Sequence, residues 1–349
     1  MKYPVSVFPL AERLVKERKN VAFGVQPTEH MFVAEYKARA WQDGRVVPFE
    51  NLTLSPLALC LHYGQTVFEG MKAFYMNDGR INIFRPEKHY ERFARSLERM
   101  CMPVVPKELF MDALHLLVQL DADWVPKEED GSLYLRPFMI ATEERIGVKV
   151  SDNYQFLIVA TPAYQYYTKP VKVKVETTYV RAAEGGTGYA KCGGNYGVAF
   201  YPTERAREAG YDQVLWTDSH DHEYIEESGT MNIAFIMDNT LITPPLSGTI
   251  LDGVTRDSVL TIAREMGLNV TERRISYHEI QKALEDGRKV EAFGTGTAAV
   301  IAPIEIIGID ETDYQCYTES DALMYKLQHE LLNIRKGLAP DKHGWNFIV

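Results

Sequence analysis

The chain has 349 residues, of which 46% are apolar and 25% charged, and its formal charge is −10. These are the proportions of an ordinary soluble globular protein, long enough for two hydrophobic cores and unlike a disordered or fibrous chain. The negative balance argues against nucleic acid or an anionic membrane as the main partner, because the average field repels both.

No stretch approaches the ~18 consecutive apolar residues of a membrane span. The opening "MKYPVSVFPLAERLVKERKN" reads as neither secretion signal nor transit peptide, which makes a cytoplasmic location the expectation. Cys60, Cys101, Cys192 and Cys316 form no CxxC pair, which suits free thiols in a reducing compartment.

In chain order, "FVAEYKARAWQDGRVVPF" and "GMKAFYMNDGRINIFRP" each predict a hairpin at an Asp-Gly turn. A helix is expected after Pro86, with Tyr90, Phe93, Leu97 and Met100 on one face, closing before Pro103. "SLYLRPFMIAT" and "YQFLIVATP" predict strands, and "ATPAYQYYTKP" a connector. This gives a first domain over 1–161, a connector over 162–173 and a second domain over 174–349.

Beyond the connector, "VKVKVETTYV" alternates with period two, "TERAREAG" stops at Gly210 and "YDQVLWTD" is a buried strand, after which strands and helices are expected to alternate. "TRDSVLTIAREMG" and "SDALMYKLQHELLNIRKG" predict core-packing helices that stop at Gly267 and Gly337.

The chemistry centres on "GYAKCGGNYG", where Lys191 stands among Gly188, Gly193, Gly194 and Gly197. A P-loop is excluded, since no GxxxxGK[ST] is present and the glycines follow the lysine. A surface turn and a covalent amine remain. Small neighbours suit an amine that holds a flat aromatic cofactor such as pyridoxal phosphate as a Schiff base.

Such a cofactor needs an anion site. "LDGVTRDSV" offers one, with Gly253 admitting the backbone, Thr255 available as a cap and a helix behind it. The small-residue turn in "FGTGTAAV" offers Thr297 and exposed N–H groups. The ring nitrogen needs a carboxylate, and "IEESGTMN" supplies Glu226 and Glu227 without choosing between them. The HxH of "SHDHE" is a polar turn and no metal is assigned.

Seven segments in order, "YGQTVFEGMKAF", "SLYLRP", "YAKCGGNYG", "EESGTMNI", "GVTRDSV", "EAFGTGTAAVIAP" and "HGWNF", resemble the branched-chain amino-acid aminotransferases, from about Phe23 to the C-terminus. The resemblance implies fold type IV of the pyridoxal phosphate enzymes. That is a two-domain α+β / α/β architecture with a smaller N-terminal domain and a larger C-terminal one built on a pseudo-barrel. It implies transamination between leucine, isoleucine or valine and 2-oxoglutarate. The alternative within the fold is an aminodeoxychorismate lyase or D-amino-acid aminotransferase.

By the same resemblance Lys191 is the Schiff-base lysine and proton carrier, Tyr196 the partner of the cofactor's phenolic oxygen and Glu227 the partner of its ring nitrogen. Arg92, Gly253, Val254, Thr255 and Thr297 match the phosphate cradle. Phe23, Tyr63, Phe68, Tyr134, Tyr166 and Thr230 match a box around the branched side chain, and the Thr297–Ala298 backbone matches the α-carboxylate site. Arg136 at the edge of that box suits glutamate's γ-carboxylate. Tyr63 and Val148 match residues that reach a neighbouring subunit's site, implying a homodimer. Ala299 and Ala302 stand where animal members carry CxxC, so no thiol switch is expected.

Overall fold

The computed structural model describes residues 3–8, 22–164 and 167–349. They form two compact units. The first comprises Met1–Tyr166, Ala190–Gly194 and Ile334–Val349, the second Tyr167–Tyr189 and Asn195–Asn333. Two late segments therefore return to the first unit, and a linear cut of the chain does not delimit it.

In chain order the elements are β1 (Val5–Val7), β2 (His30–Lys37), β3 (Ala40–Trp41), β4 (Gly44–Pro48), α1 (Leu59–Tyr63), β5 (Thr66–Phe68), β6 (Met71–Tyr75), β7 (Ile81–Phe84), α2 (Pro86–Arg99), α3 (Lys107–Leu120), β8 (Ser132–Ala141) and β9 (Tyr154–Ala163). There follow β10 (Val171–Glu176), α4 (Gly194–Gly197), α5 (Phe200–Glu208), β11 (Gln213–Thr217), β12 (Ile225–Ser228), β13 (Met231–Met237) and β14 (Thr240–Thr243). The chain ends with α6 (Val254–Glu265), β15 (Asn269–Glu272), α7 (Tyr277–Glu285), β16 (Glu291–Gly296), β17 (Val300–Ile309), β18 (Thr312–Gln315), α8 (Leu323–Arg335) and β19 (Asn346–Ile348).

The first unit is built on a ten-stranded sheet of order β1-β4-β2-β9-β8-β6-β7-β19, with β3 on β2 and β5 on β8. Its long ladder pairs β8 with β9 from Ser132↔Ala163 to Ala141↔Tyr154. Side chains alternate across a strand. Leu133, Leu135 and Met139 accordingly join the core with Phe93 and Leu97 of α2 and Phe110 and Leu114 of α3, whereas Tyr134 and Arg136 occupy the other face. Helix α2 opens with Pro at its first position, where the missing N–H costs nothing. Helix α3 buries Leu109, Phe110, Ala113, Leu114, Leu117 and Val118, a helical stripe that the sequence reading passed over.

One hairpin differs from expectation. The tight turn after β2 is Ala38–Arg39, both in the left-handed region (φ 51° and 60°), instead of Asp43–Gly44. Gly44 begins β4, where a Cβ would meet the Phe32 ring at 2.7 Å, so this glycine serves packing rather than the turn. The hairpin of β6 and β7 is as expected, with Gly79 at φ 86°.

In the second unit, β12, β11, β10, β17, β16 and β13 follow one another and the β12–β13 pairing closes them into a six-stranded ring. The two pairings of β10 are parallel and the other four antiparallel. The expected alternation of strands and helices gives way here to four successive strands, β11 to β14. Helix α6 buries Val259, Ile262 and Ala263 as its periodicity predicts.

Candidate active site

In the first unit, Lys191 is fixed by its own main chain. Its N–H donates to Ser96 Oγ at 2.9 Å, and its carbonyl accepts from the Phe68 N–H at 3.0 Å. Cys192 bridges to Val67 of β5, and the Gly193 N–H donates to the Thr66 carbonyl at 3.2 Å. A Cβ on Gly193 would meet Thr66 Oγ1 at 2.5 Å, while Gly194 and Gly197 face open space. Only part of the glycine content is thus demanded by close approach in the protein itself.

The Lys191 Nζ lies 4.8 Å over the Phe68 ring, and the Arg136 guanidinium lies 4.8 Å over the same ring. Arg136 Nη2 donates to the Tyr134 hydroxyl at 3.0 Å, and Tyr134 meets Phe23 edge-on at 4.9 Å. Five residues expected at the site therefore form one connected series. Phe23, Tyr134 and Arg136 line a cavity of about 240 Å³ with Val25, Phe49 and Thr161, which the sequence reading missed. Arg136 Nε is buried with no hydrogen-bond partner among the described residues. Gly70 packs beneath Tyr134, and an added Cβ would overlap its hydroxyl. Gly70→Ala should cost about 1–3 kcal/mol by overpacking, read from the denaturant midpoint, and weaken the Arg136–Tyr134 bond.

Arg92 of α2 is buried against Glu69, with Nε 2.7 Å from Oε1 and Nη2 2.9 Å from Oε2. His89 Nδ1 donates to the same Oε2 at 2.8 Å. Burial would raise the Glu69 carboxyl, but the Arg92 and His89 charges and hydrogen bonds outweigh it and hold it well below the usual carboxylate range. Burial pushes His89 down, Glu69 partly offsets this, and Arg92 and Lys191 push the same way as burial. Ser96 Oγ donates to the Arg92 carbonyl at 2.8 Å, which ties Lys191 to this cluster through one hydroxyl. Glu69, His89 and Ser96 were not singled out from the sequence, although Glu69 is a lone carboxylate inside the apolar run "TVFEGM".

Tyr63 and Val148 are exposed, and the Tyr63 hydroxyl donates to the Ile146 carbonyl. Tyr166 lies outside the described residues.

In the second unit, strand alternation separates Glu226 from Glu227. The Glu227 carboxylate accepts the Leu251 N–H at 2.8 Å and Asn232 Nδ2 at 3.4 Å, and Arg181 Nε lies 3.1 Å from its Oε2. Asn232 Nδ2 also donates to the Leu251 carbonyl at 2.8 Å. Its Oδ1 occupies the space a Cβ of Gly253 would take. Gly253 is the N-cap of α6 and no side chain caps that helix. Thr255 is consequently not the cap that the sequence suggested; it and Val254 are buried in the first turn.

The register Asn232↔Thr295 and Gly296↔Val300 brings the turn holding Thr230 and the turn holding Thr297 and Ala298 to one end of the ring. Tyr196 stands in α4. Arg181 is a further residue that sequence reasoning missed. His220 and His222 lie in a turn organised by Asp218, which accepts the N–H groups of His220, Asp221, Glu223 and Tyr224. Among the described residues no cluster of three or more His, Cys, Asp or Glu could hold a metal ion.

The family profile described as Amino-transferase class IV matches residues 66–307. The chain belongs to the class IV aminotransferases. Within them it is 48% identical to branched-chain-amino-acid transaminase 1 of Bacillus subtilis, over 95% of this chain and 94% of that one. It is 45% identical to branched-chain-amino-acid aminotransferase 2 of the same organism, over 94% and 92%. The lyase or D-amino-acid alternative is not favoured by such relatives. A crystal structure of the branched-chain aminotransferase from the thermophilic archaeon Thermoproteus uzoniensis, with norvaline, superposes with a TM-score of 0.76. It has 27% identity and covers 91% of this chain and 99% of that one. The two-unit fold with its closed strand ring is thus the fold of this class, and no helix among the described residues is long and apolar enough to cross a membrane.

Proposed function

We propose that this aminotransferase moves the amino group between leucine, isoleucine or valine and 2-oxoglutarate, with pyridoxal 5'-phosphate attached at Lys191. The observation that carries the reading is the continuous series from Lys191 through Phe68, Arg136 and Tyr134 to Phe23, an amine next to an apolar pocket with one arginine at its edge.

The residues present fit the cofactor. Gly193 lets the backbone after Lys191 approach Thr66 of β5, where a Cβ would meet the hydroxyl, and the α6 N-terminus has no side-chain cap. Arg92, the first turn of α6 at Val254 and Thr255, and Thr297 supply donors suited to a phosphate, with Gly253 admitting the backbone. Glu227, oriented by Arg181 and the Leu251 N–H, suits a protonated ring nitrogen, and the Tyr196 hydroxyl suits a phenolic oxygen. When bound, pyridoxal phosphate supplies a carbon for covalent attachment and a ring that takes up electrons from the substrate α-carbon.

The protein's own part is to bind, orient and move a proton. Lys191 Nζ would hold the cofactor and, as a free amine, would take up the proton that leaves the substrate α-carbon and later release it. Phe23, Phe68 and Tyr134 of the first unit suit the branched side chain, and Thr230 and the Thr297–Ala298 backbone of the second are the groups assigned to the substrate and its α-carboxylate. Tyr63 and Val148, with Ile146, present an exposed apolar face suited to a second copy of the chain in a homodimer. The chain is read as a cytoplasmic enzyme.

Arg136 decides how one pocket takes both substrates. Its buried Nε has no hydrogen-bond partner among the described residues, and a γ-carboxylate would supply one. A charge-assisted hydrogen bond is worth about 1.5–3 kcal/mol. Arg136→Leu should therefore raise KM for 2-oxoglutarate roughly 10- to 100-fold and leave KM for L-leucine within about threefold. Equal effects on both would remove the arginine from this role. Glutamate formation from L-leucine and 2-oxoglutarate by the purified, cofactor-loaded chain tests the activity itself, and its absence would overturn the reading.

A further inference from the structure

Glu226, the neighbour of Glu227, lies on the other side of β12 and lines a cavity of about 670 Å³ in the second unit, with Asp218, Tyr224, Pro244, Thr249 and Arg274. It is 91% buried, its relative exposure being 9%. Its Oε1 accepts from the Thr249 hydroxyl, and its Oε2 is buried with no hydrogen-bond partner among the described residues. A buried carboxyl oxygen without a donor is costly, and the chemistry at Lys191 makes no use of it.

The connection runs through Thr249. Its Oγ1 lies 2.9 Å from Ser247 Oγ and donates to Glu226, while its carbonyl accepts from Arg181 Nη2. The same guanidinium is the cation beside Glu227 Oε2. Two residues further, the Leu251 N–H donates to Glu227 Oε1 at 2.8 Å. One short strip of chain, Thr249 to Leu251, therefore sets both the cationic and the backbone contact of Glu227, and Glu226, together with Ser247, holds the start of that strip from behind.

We propose that Glu226 is a positioning residue for Glu227, acting through Thr249 and Arg181. The proposal rests on the reading of Glu227 as the partner of the cofactor's ring nitrogen. Charge supports it. Burial raises the Glu226 carboxyl above its usual range, Thr249 and Arg181 oppose this, and Glu227 and Asp218 add to it. Glu184, His220, Asp221 and Arg274 face the same cavity.

The test compares Glu226→Ala, Glu226→Gln, Glu227→Gln and the double variant Glu226→Ala/Glu227→Gln. The readouts are the dissociation constant of pyridoxal phosphate titrated into apoprotein and the absorbance spectrum of the bound cofactor. Glu226→Ala should weaken binding about tenfold and shift the spectrum in the direction Glu227→Gln does. Glu226→Gln, which keeps an acceptor for Thr249, should restore both to within about twofold of wild type. The double variant should bind no worse than Glu227→Gln alone.

Wild-type behaviour of Glu226→Ala beside an altered Glu227→Gln overturns the proposal, and so does full additivity in the double variant. No effect of Glu227→Gln would instead bring down the reading of Glu227, and the proposal with it. Should Glu226→Ala fail to fold, Thr249→Val cuts the same link. The same weakening is then expected, and wild-type affinity overturns the proposal.

Discussion

Lys191→Ala will lower the rate of glutamate formation from L-leucine and 2-oxoglutarate by at least about 10⁴-fold. Proton transfer by a positioned side chain alone contributes about 10²–10⁴, and in the proposed function this amine serves twice, for attachment and for the proton, so its two contributions would be lost together. The variant should fold. Lys191 is held by bonds of its main chain to Ser96 and Phe68, and its neighbour Cys192 by a bridge to Val67, none of which involves the amine. The loss therefore reports chemistry and not unfolding. Borohydride reduction of the wild-type holoprotein, followed by peptide mapping, should leave the pyridoxyl group on Lys191. Residual activity well above about 0.01% of wild type, or an adduct on another side chain, would contradict the role.

What the sequence made legible is what local physics writes into short windows. The strand over "SLYLRP" was read as such, and in the structure its alternation sends Leu133 and Leu135 into the core with α2 and α3 and leaves Tyr134 and Arg136 on the opposite face. The hairpin at Asp78–Gly79 and the stripes of α2 and α6 are of the same kind. Long-range closure was not legible. Strand β19 pairs with β7 across more than 260 residues, and the six-stranded ring closes only because β12 pairs with both β11 and β13. No window of sequence contains such partners.

The Asp43–Gly44 dipeptide misled for a related reason. The glycine there is demanded by the Phe32 ring across the sheet, a tertiary contact that mimics a turn signal. At the site, residues that chemistry needs in a recognisable pattern, Lys191 and its glycines, stood out. Residues that orient others, such as Arg181 and Glu69, carry no pattern of their own and emerged only from the contacts they make.

Glu69 is also where the largest stability effect is expected: Glu69→Ala will destabilise the apoprotein by about 3–5 kcal/mol. The Glu69 and Arg92 side chains are 0% and 5% exposed, and His89 joins them from the preceding turn of α2. Deleting one partner of a buried pair leaves the other charge uncompensated where water cannot reach it, and that is the cost range for such a deletion. The pH dependence has a definite sign. A carboxylate held below its unfolded pKa of about 4.3 contributes stability above that pH and loses it as pH falls toward the folded value. His89, pushed down by burial, loses stability in the same direction below about pH 6.5. Urea denaturation of the apoprotein should therefore show a wild-type acid limb that is steeper than that of Glu69→Ala. On the proposed reading of Arg92 as a phosphate ligand, a bound phosphate would compensate the guanidinium and the deficit should shrink in the holoprotein. A loss below about 1 kcal/mol at neutral pH would mean that this pair behaves as an exposed one, and Arg92 would then be held by something other than Glu69.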